Sequence, residues 1–348
     1  MRVMLAAPQN EPGLLGSYGR ALDQLGVRVS HCDIQAAIDR SARLGLLGRR
    51  FNSSIPIPAW EARGNREFIL AAREARPDAI FIAGSARIGA GALAQIRAAL
   101  SGVRLALVWP DTLLNLTDHT IASLPLYDLV ATYSQRSIDS FEKLGARNVR
   151  WVPFAADTIL FRADVDISPE HRQRFSCDVV FIGNGRPERE RAILALMDSG
   201  MSVKVWGANT WLKGSLSPAR ARRYWQGGAV FGADFVRATQ CAHMALNVID
   251  DTNYPAANMR FFENMACRAV SLVSPCPEME GTFPEGSGVV YFSGLKELVA
   301  KARWLLTEQE RRLRIADEGY RRVLAGHTYA DRARDLLVAL GLSPVSAS

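Results

Sequence analysis

The side chains best suited to chemistry lie in the run NMRFFENMACRAVSLVSP, residues 258–275. Asn258 is of a type that caps helices, and Met259 opens a helical pattern whose Phe261, Phe262, Met265 and Ala266 are apolar. Arg260 falls in the first turn, where a guanidinium reaches the preceding loop and any phosphate bound there. Glu263, one turn on, is a carboxylate able to accept two hydroxyl hydrogen bonds, as in the holding of a ribose cis diol. The plain alternative is an i,i+3 ion pair on a solvated face, worth only about 0.2–0.5 kcal/mol. The apolar neighbours speak against it, because burying such a pair without a partner is costly.

A second candidate is VVFIGNGRPERERAIL, a strand pattern followed by Gly183-Asn184-Gly185 and a helix with Pro187 in its first turn. Glycines let the backbone approach an anion, the helix N-terminus favours negative charge, and Arg186 and Arg189 add charge-assisted donors. The same residues also make an ordinary tight β–α turn with arginines in water. The loop is neither a Walker motif nor a full dinucleotide fingerprint, since the third glycine is absent at the required spacing. EPGLLGSYG puts Gly13 and Gly16 after the first strand, where a phosphate or sugar can approach. VWPDTLLNLTDHT offers Asp111 and His119 after another strand end, as catalytic candidates or as loop residues. No nucleophile triad assembles from the sequence, and the five histidines form no metal set.

These groups need a frame. RVMLAAP, VRVSHCD, DAIFIAG, RLALVWP and YDLVATYS alternate with helical patterns in the first half. CDVVFIGN, SVKVWGAN, GAVFGAD, MALNVID, AVSLVSP and GVVYFS do so in the second. Apolar strands buried on both faces and alternating with helices predict parallel, doubly wound sheets. After VATYS, Ser134 is the expected N-cap of a helix and Gly145 its C′ residue. The expected layout is an N-terminal domain over 1–160, a linker over 161–176, a second domain over 177–325, and a C-terminal helix and tail over 326–348. Two such sheets imply a cleft between domains, with ligands at the carboxyl ends of strands.

Composition narrows the class. With 348 residues, 48% apolar and 22% charged, the chain reads as a two-domain globular protein rather than a disordered or fibrous one. No apolar run reaches transmembrane length, and MRVMLAAPQNEPG reads as a first strand rather than a signal peptide. Five scattered cysteines suit a reducing, cytoplasmic setting. The net charge of +7 is spread along the chain and densest in SPARARRYW, with Arg220–Arg223 at its centre. That cluster is a solvated helix face, or a surface for an anionic membrane or substrate. Nucleic acid is not expected as a partner, because no recognition motif accompanies the charge.

CDVVFIGNGRPERE, VKVWG, MALNV, NMRFFENMACRAVSLVS and ERRLRIADEGYRRVLAGHTYADRA together resemble the CgeB-type glycosyltransferases, a family named for a spore-maturation protein and related to the group-1 enzymes. The resemblance covers roughly residues 177–340, with YDLVATYSQRSIDSFEKLG and VPFAAD matching more loosely in the first half. It implies a GT-B fold, two Rossmann-like domains facing across a cleft, the donor held by the second and the acceptor facing the first. By that likeness Glu263 binds the donor ribose, Arg260 and the loop Gly183, Asn184, Gly185, Arg186 meet the diphosphate, and Gly207 and Phe231 frame the base. It also implies metal-independent transfer of a sugar from a nucleotide-sugar donor to a hydroxyl on a glycan, protein or small molecule, with no cofactor; the stereochemical course is not carried over by the likeness, and retention is this reading's own expectation. One departure is Pro255, where many group-1 enzymes carry a second glutamate eight positions before the ribose-binding one; sugar contacts then fall to the Asp250–Asn253 loop. The stretch RSARLGLLGRRFNSSIPIPAW is expected among the loops that choose the acceptor. The competing readings are a non-catalytic sugar-nucleotide-binding module and a nucleotide-sugar epimerase.

Overall fold

A computed structural model of the chain describes residues 1–9, 12–40, 57–84, 86–213 and 218–343. Most of the acceptor-loop stretch, 41–56, and Ser217 of the basic cluster lie outside the described residues. The chain divides into two units, Met1–Pro153 together with the C-terminal segment from Ala330, and Phe154–Tyr329.

In the first unit β1 (Arg2–Ala6), β2 (Arg28–His31), β3 (Ala79–Ala83), β4 (Arg104–Trp109), β5 (Leu129–Thr132) and β6 (Val149–Trp151) form one parallel sheet, in the order β2-β1-β3-β4-β5-β6. The register sets Leu5 opposite Phe81 and Phe81 opposite Ala106. In the second unit β7 (Cys177–Ile182), β8 (Val203–Trp206), β9 (Trp225–Gly227), β10 (Ala242–Asn247), β11 (Ser271–Val273) and β12 (Val289–Tyr291) form another, ordered β12-β11-β10-β7-β8-β9. The apolar runs form strands because helices cover both faces. Val3, Leu5, Ile80, Phe81 and Leu105 are all fully buried, as are Val179, Val205 and Leu272.

Three boundaries differ from the layout read in the sequence. Ser134 precedes a 3-10 turn, Gln135–Ser137, before the helix Ile138–Lys143, and Gly145 closes that helix at φ 99° as expected. The stretch 161–176, read above as a connection, packs on the second unit. Phe161 meets Phe235 edge-on at 4.8 Å, and the Gln240 and Arg237 side chains donate to the carbonyls of Ala163 and Asp166. The last helix, Tyr329–Ala339, returns to the first unit, where Leu336 and Leu337 are fully buried and Arg332 Nε donates to the Pro153 carbonyl at 3.0 Å. No helix of the described residues is long and apolar enough to cross a membrane.

The helix Gln309–Leu324 crosses the turn before β12 backbone to backbone. A Cβ on Gly319 would lie 2.4 Å from Gly288 Cα, and Gly288 itself holds φ 92°. Neither neighbour is a flexible side chain end, so the backbone itself must move. Gly319→Ala is expected to cost about 1–3 kcal/mol, the usual penalty for overpacking, read as a lower urea midpoint with an unchanged m-value.

Candidate functional site

The strand order of the second sheet reverses between β7 and β10, its two middle strands, which pair in parallel. Such a switch point leaves a crevice that loops and helix N-termini fill. β7 runs into Gly183-Asn184-Gly185, and the helix Pro187–Asp198 follows with Arg186 at its N-cap. Gly207, after β8, is glycine because of the neighbouring loop: a Cβ there would sit 2.0 Å from the Gly183 carbonyl oxygen. That carbonyl accepts from Trp211 Nε1 at 2.8 Å, and Gly185 N–H donates to the Thr210 hydroxyl at 3.3 Å.

Asp250, three residues past β10, ties the two strand ends together. Its Oδ2 accepts from Arg189 Nη2 at 2.9 Å and pairs with Arg186 Nε at 3.0 Å. Its Oδ1 accepts from the Thr252 hydroxyl at 2.7 Å and from the Asn253 backbone and side-chain amides. Burial pushes the Asp250 carboxyl up, but the hydrogen bonds from Thr252 and Asn253 and the two guanidiniums outweigh it and hold it below the usual carboxylate range. Arg189 is buried, and it also donates to the carbonyls of Asn184 and Val248. The arginine expected to meet phosphate is therefore built into the frame, while Arg186 keeps a half-exposed side chain.

The helix Met259–Ala266 starts where the sequence places it. Asn258 Oδ1 accepts from Phe261 N–H at 3.2 Å, and the Asn258 and Asn247 amides pair reciprocally at 2.9 and 3.0 Å. Arg260 Nε donates to the Ile182 carbonyl at 3.0 Å, its Nη1 pairs with Glu263 Oε2, and its guanidinium lies 4.8 Å over the Phe235 ring. The Arg260–Glu263 contact is thus an i,i+3 ion pair, but Glu263 is only 2% exposed. Burial pushes its carboxyl above the usual range, against the pull of Arg260. A cavity of about 50 Å³ opens beside the pair, lined by Ile182, Gly183, Arg189, Asn247, Asn258 and Arg260.

The remaining candidates fall elsewhere. Phe231, half-exposed, caps the helix Gly232–Cys241 and lines an open cavity of about 560 Å³ with Trp206 and Val230, which Gly207 does not reach. Gly13 is the N-cap of the helix Leu14–Gln24 in the first unit, and Gly16 is buried inside that helix rather than lying in the turn. Asp111 and His119 line a separate first-unit cavity of about 460 Å³. Asp111 spends its oxygens on Thr112 N–H and Asn115 Nδ2, both at 2.7 Å, and His119 Nε2 stands 3.9 Å from Glu61 Oε2. The second unit alone brings Gly183, Asn184, Arg186, Asn258, Arg260 and Glu263 to one sheet edge. Sequence reasoning missed Asn247 and Phe235; an asparagine closing the otherwise apolar run MAL was a signal for the first. Among the described residues no group of three or more His, Cys, Asp or Glu forms a metal site.

Residues 186–338 match the family model described as glycosyl transferase-like. The chain is similar to the spore protein CgeB of Bacillus subtilis (strain 168), 22% identical over a 235-residue alignment that covers 61% of this chain and 68% of that protein. The CgeB-type resemblance read from the sequence is borne out. Among solved structures, sucrose-phosphate synthase of Thermosynechococcus elongatus aligns over 97% of both chains with a TM-score of 0.68 at 11% identity. Anabaena Alr3699/HepE, solved in complex with UDP-glucose, covers 98% of this chain and 99% of its own with a TM-score of 0.63 at 13% identity. The fold is GT-B, with two Rossmann-like units.

The two arginines on Asp250 differ in burial and should differ in energy. Arg189→Ala removes a buried guanidinium from Asp250 and from the Asn184 and Val248 carbonyls at once and is expected to cost about 3 kcal/mol or more, while the half-exposed Arg186→Ala costs under about 1 kcal/mol. Urea unfolding at neutral pH measures both. The depressed Asp250 carboxyl contributes stability above its unfolded pKa that is lost as pH falls through its folded value, so the Arg189→Ala deficit should shrink on acidification.

Proposed function

We propose that the protein is a metal-independent glycosyltransferase that moves a sugar from a nucleotide-sugar donor to a hydroxyl acceptor, with retention. The observation that carries this reading is the state of Arg260. It is anchored by Nε to the end of β7 and steadied by Glu263 and Phe235, yet its Nη2 has no protein partner among the described residues, and its side chain is a quarter exposed at the switch point. A guanidinium fixed on two sides and open on a third is prepared for an anion.

In this reading the donor's diphosphate lies against Arg260, Arg186 and the N-terminus of the helix Pro187–Asp198, its ribose meets Glu263, and its base lies in the cavity lined by Phe231. Negative charge grows on the diphosphate as its bond to the sugar breaks. Fixed guanidiniums and helix N–H groups stabilise that charge more in the transition state than in the bound donor. UDP or a UDP-sugar, as held by HepE, is the first donor to try. The acceptor hydroxyl is assigned to the first unit, where Asp111, His119 and Glu61 line a cavity of about 460 Å³.

Arg260→Ala is expected to lower the transfer rate at saturating donor by roughly a hundredfold or more with the fold retained, because one electrostatic donor at a developing anion is worth about that much. Burial pushes the Glu263 carboxyl up, and losing Arg260 removes the charge that opposes that shift. Arg260→Lys keeps the charge without the planar fork and should recover only part of the rate. A rate within a few-fold of the parent, alongside an unchanged melting curve, would move the site away from Arg260.

Chelation gives a second check. With charge neutralised by arginines, turnover in excess EDTA should stay within a factor of about two of the untreated rate. Strict dependence on Mg²⁺ or Mn²⁺ would remove the metal-independent mechanism.

A further inference from the structure

The two arginines that share Asp250 Oδ2 are unequal. Arg189 is spent: Nη2 on Asp250, Nη1 on the Asn184 carbonyl, Nε on the Val248 carbonyl, with its side chain 11% exposed. Arg186 has Asp250 as its partner through Nε, and its side chain is 48% exposed at the N-cap of a 12-residue helix. One arginine cannot leave the carboxylate without breaking the loop frame, and the other can.

Asp250 can also lose Arg186 without being stranded. Four donors would remain on it: Arg189 Nη2, the Thr252 hydroxyl, and the backbone and side-chain amides of Asn253. A buried carboxylate stripped of its partners is costly, whereas one that keeps four donors is still solvated by the protein. The exchange of Arg186 is therefore cheap on the Asp250 side.

We infer that Asp250 stands in for the donor's diphosphate at Arg186: it holds that guanidinium at the switch point in the free protein and hands it to the incoming diphosphate, while keeping Arg189. Asp250 is on this account a positioning residue of the donor site, and the inference rests on the reading of the second unit as that site. It also lowers the affinity for any diphosphate, since the anion must take Arg186 from a carboxylate and then lie near that carboxylate's charge. A site that releases a nucleoside diphosphate after each transfer gains turnover from that weakness.

The test uses the full chain with inorganic pyrophosphate and UDP as probes. By calorimetry, Asp250→Asn should bind pyrophosphate roughly three- to tenfold tighter than the parent, somewhat above the worth of one partly exposed ion pair because a like charge also goes. Arg186→Gln should bind it more weakly, and the gain should vanish in the double variant. The parent supplies a second readout that needs no substitution at Asp250. In nitrogen-15 spectra the Arg186 Nε–H resonance, assigned with Arg186→Lys, should move on pyrophosphate addition while that of Arg189 stays. A folded Asp250→Asn that binds pyrophosphate no tighter than the parent, or an Arg186 signal unmoved in a parent that binds it, overturns the inference and leaves the donor site standing. A parent that binds neither pyrophosphate nor UDP nor any other nucleoside diphosphate removes the donor-site reading, and this inference with it.

Discussion

The reversal of strand order in the second sheet forces two neighbouring strands to send their chains in opposite directions, and something must hold the parting ends. Here it is the buried carboxylate of Asp250 gripping Arg189 across 61 positions of sequence. With Arg189 also holding the Asn184 and Val248 carbonyls, the β7 loop, the β10 loop and the start of the helix Pro187–Asp198 become one rigid piece. Replacing a buried ion pair by apolar residues often stabilises a protein, so its presence at this edge points to a requirement for defined geometry. Arg186, paired with Asp250, and Arg260, on the Ile182 carbonyl, are both held at the strand ends that this tie joins.

The Arg260–Glu263 pair shows the same logic on a smaller scale. Burial presses Glu263 toward its neutral form, and Arg260 works against it. A solvated i,i+3 pair would contribute a few tenths of a kcal/mol to the helix and serve no further end. Set instead on a face where Phe261, Phe262 and Met265 are fully buried, the pair carries a desolvation penalty that the helix does not need for its own stability. Perturbed carboxylates cluster at functional sites, and structural ion-pair networks perturb them too.

Much of this was legible in the sequence, for identifiable reasons. Parallel strands are buried on both faces and write themselves as uninterrupted apolar runs, so both sheets could be read without their order. The Met259 helix was legible because its cap, its apolar face and its two charges lie within nine residues, Asn258 to Ala266. The Gly183 loop was legible as a strand-to-helix turn. What escaped reading depends on contacts between distant segments. Nothing local in Asp250 says that it meets Arg189, and nothing in the irregular run 161–176 says that Phe161 will find Phe235. Gly16 was misplaced for the opposite reason: the helix Leu14–Gln24 begins immediately after Gly13, so a residue expected in the turn is already wound and buried.

The return of the final helix to the first unit makes the second unit an insertion in the first. Phe154–Tyr329 is one unbroken segment and has all its strands once Tyr329 has been made. The first unit is interrupted, and the helix that carries the buried Leu336 and Leu337 is made only after the whole of the second unit. A chain growing from its N-terminus therefore completes the inserted unit before the one that began first. A nascent chain stalled before Ala330 would carry a finished second unit and a first unit still without that helix.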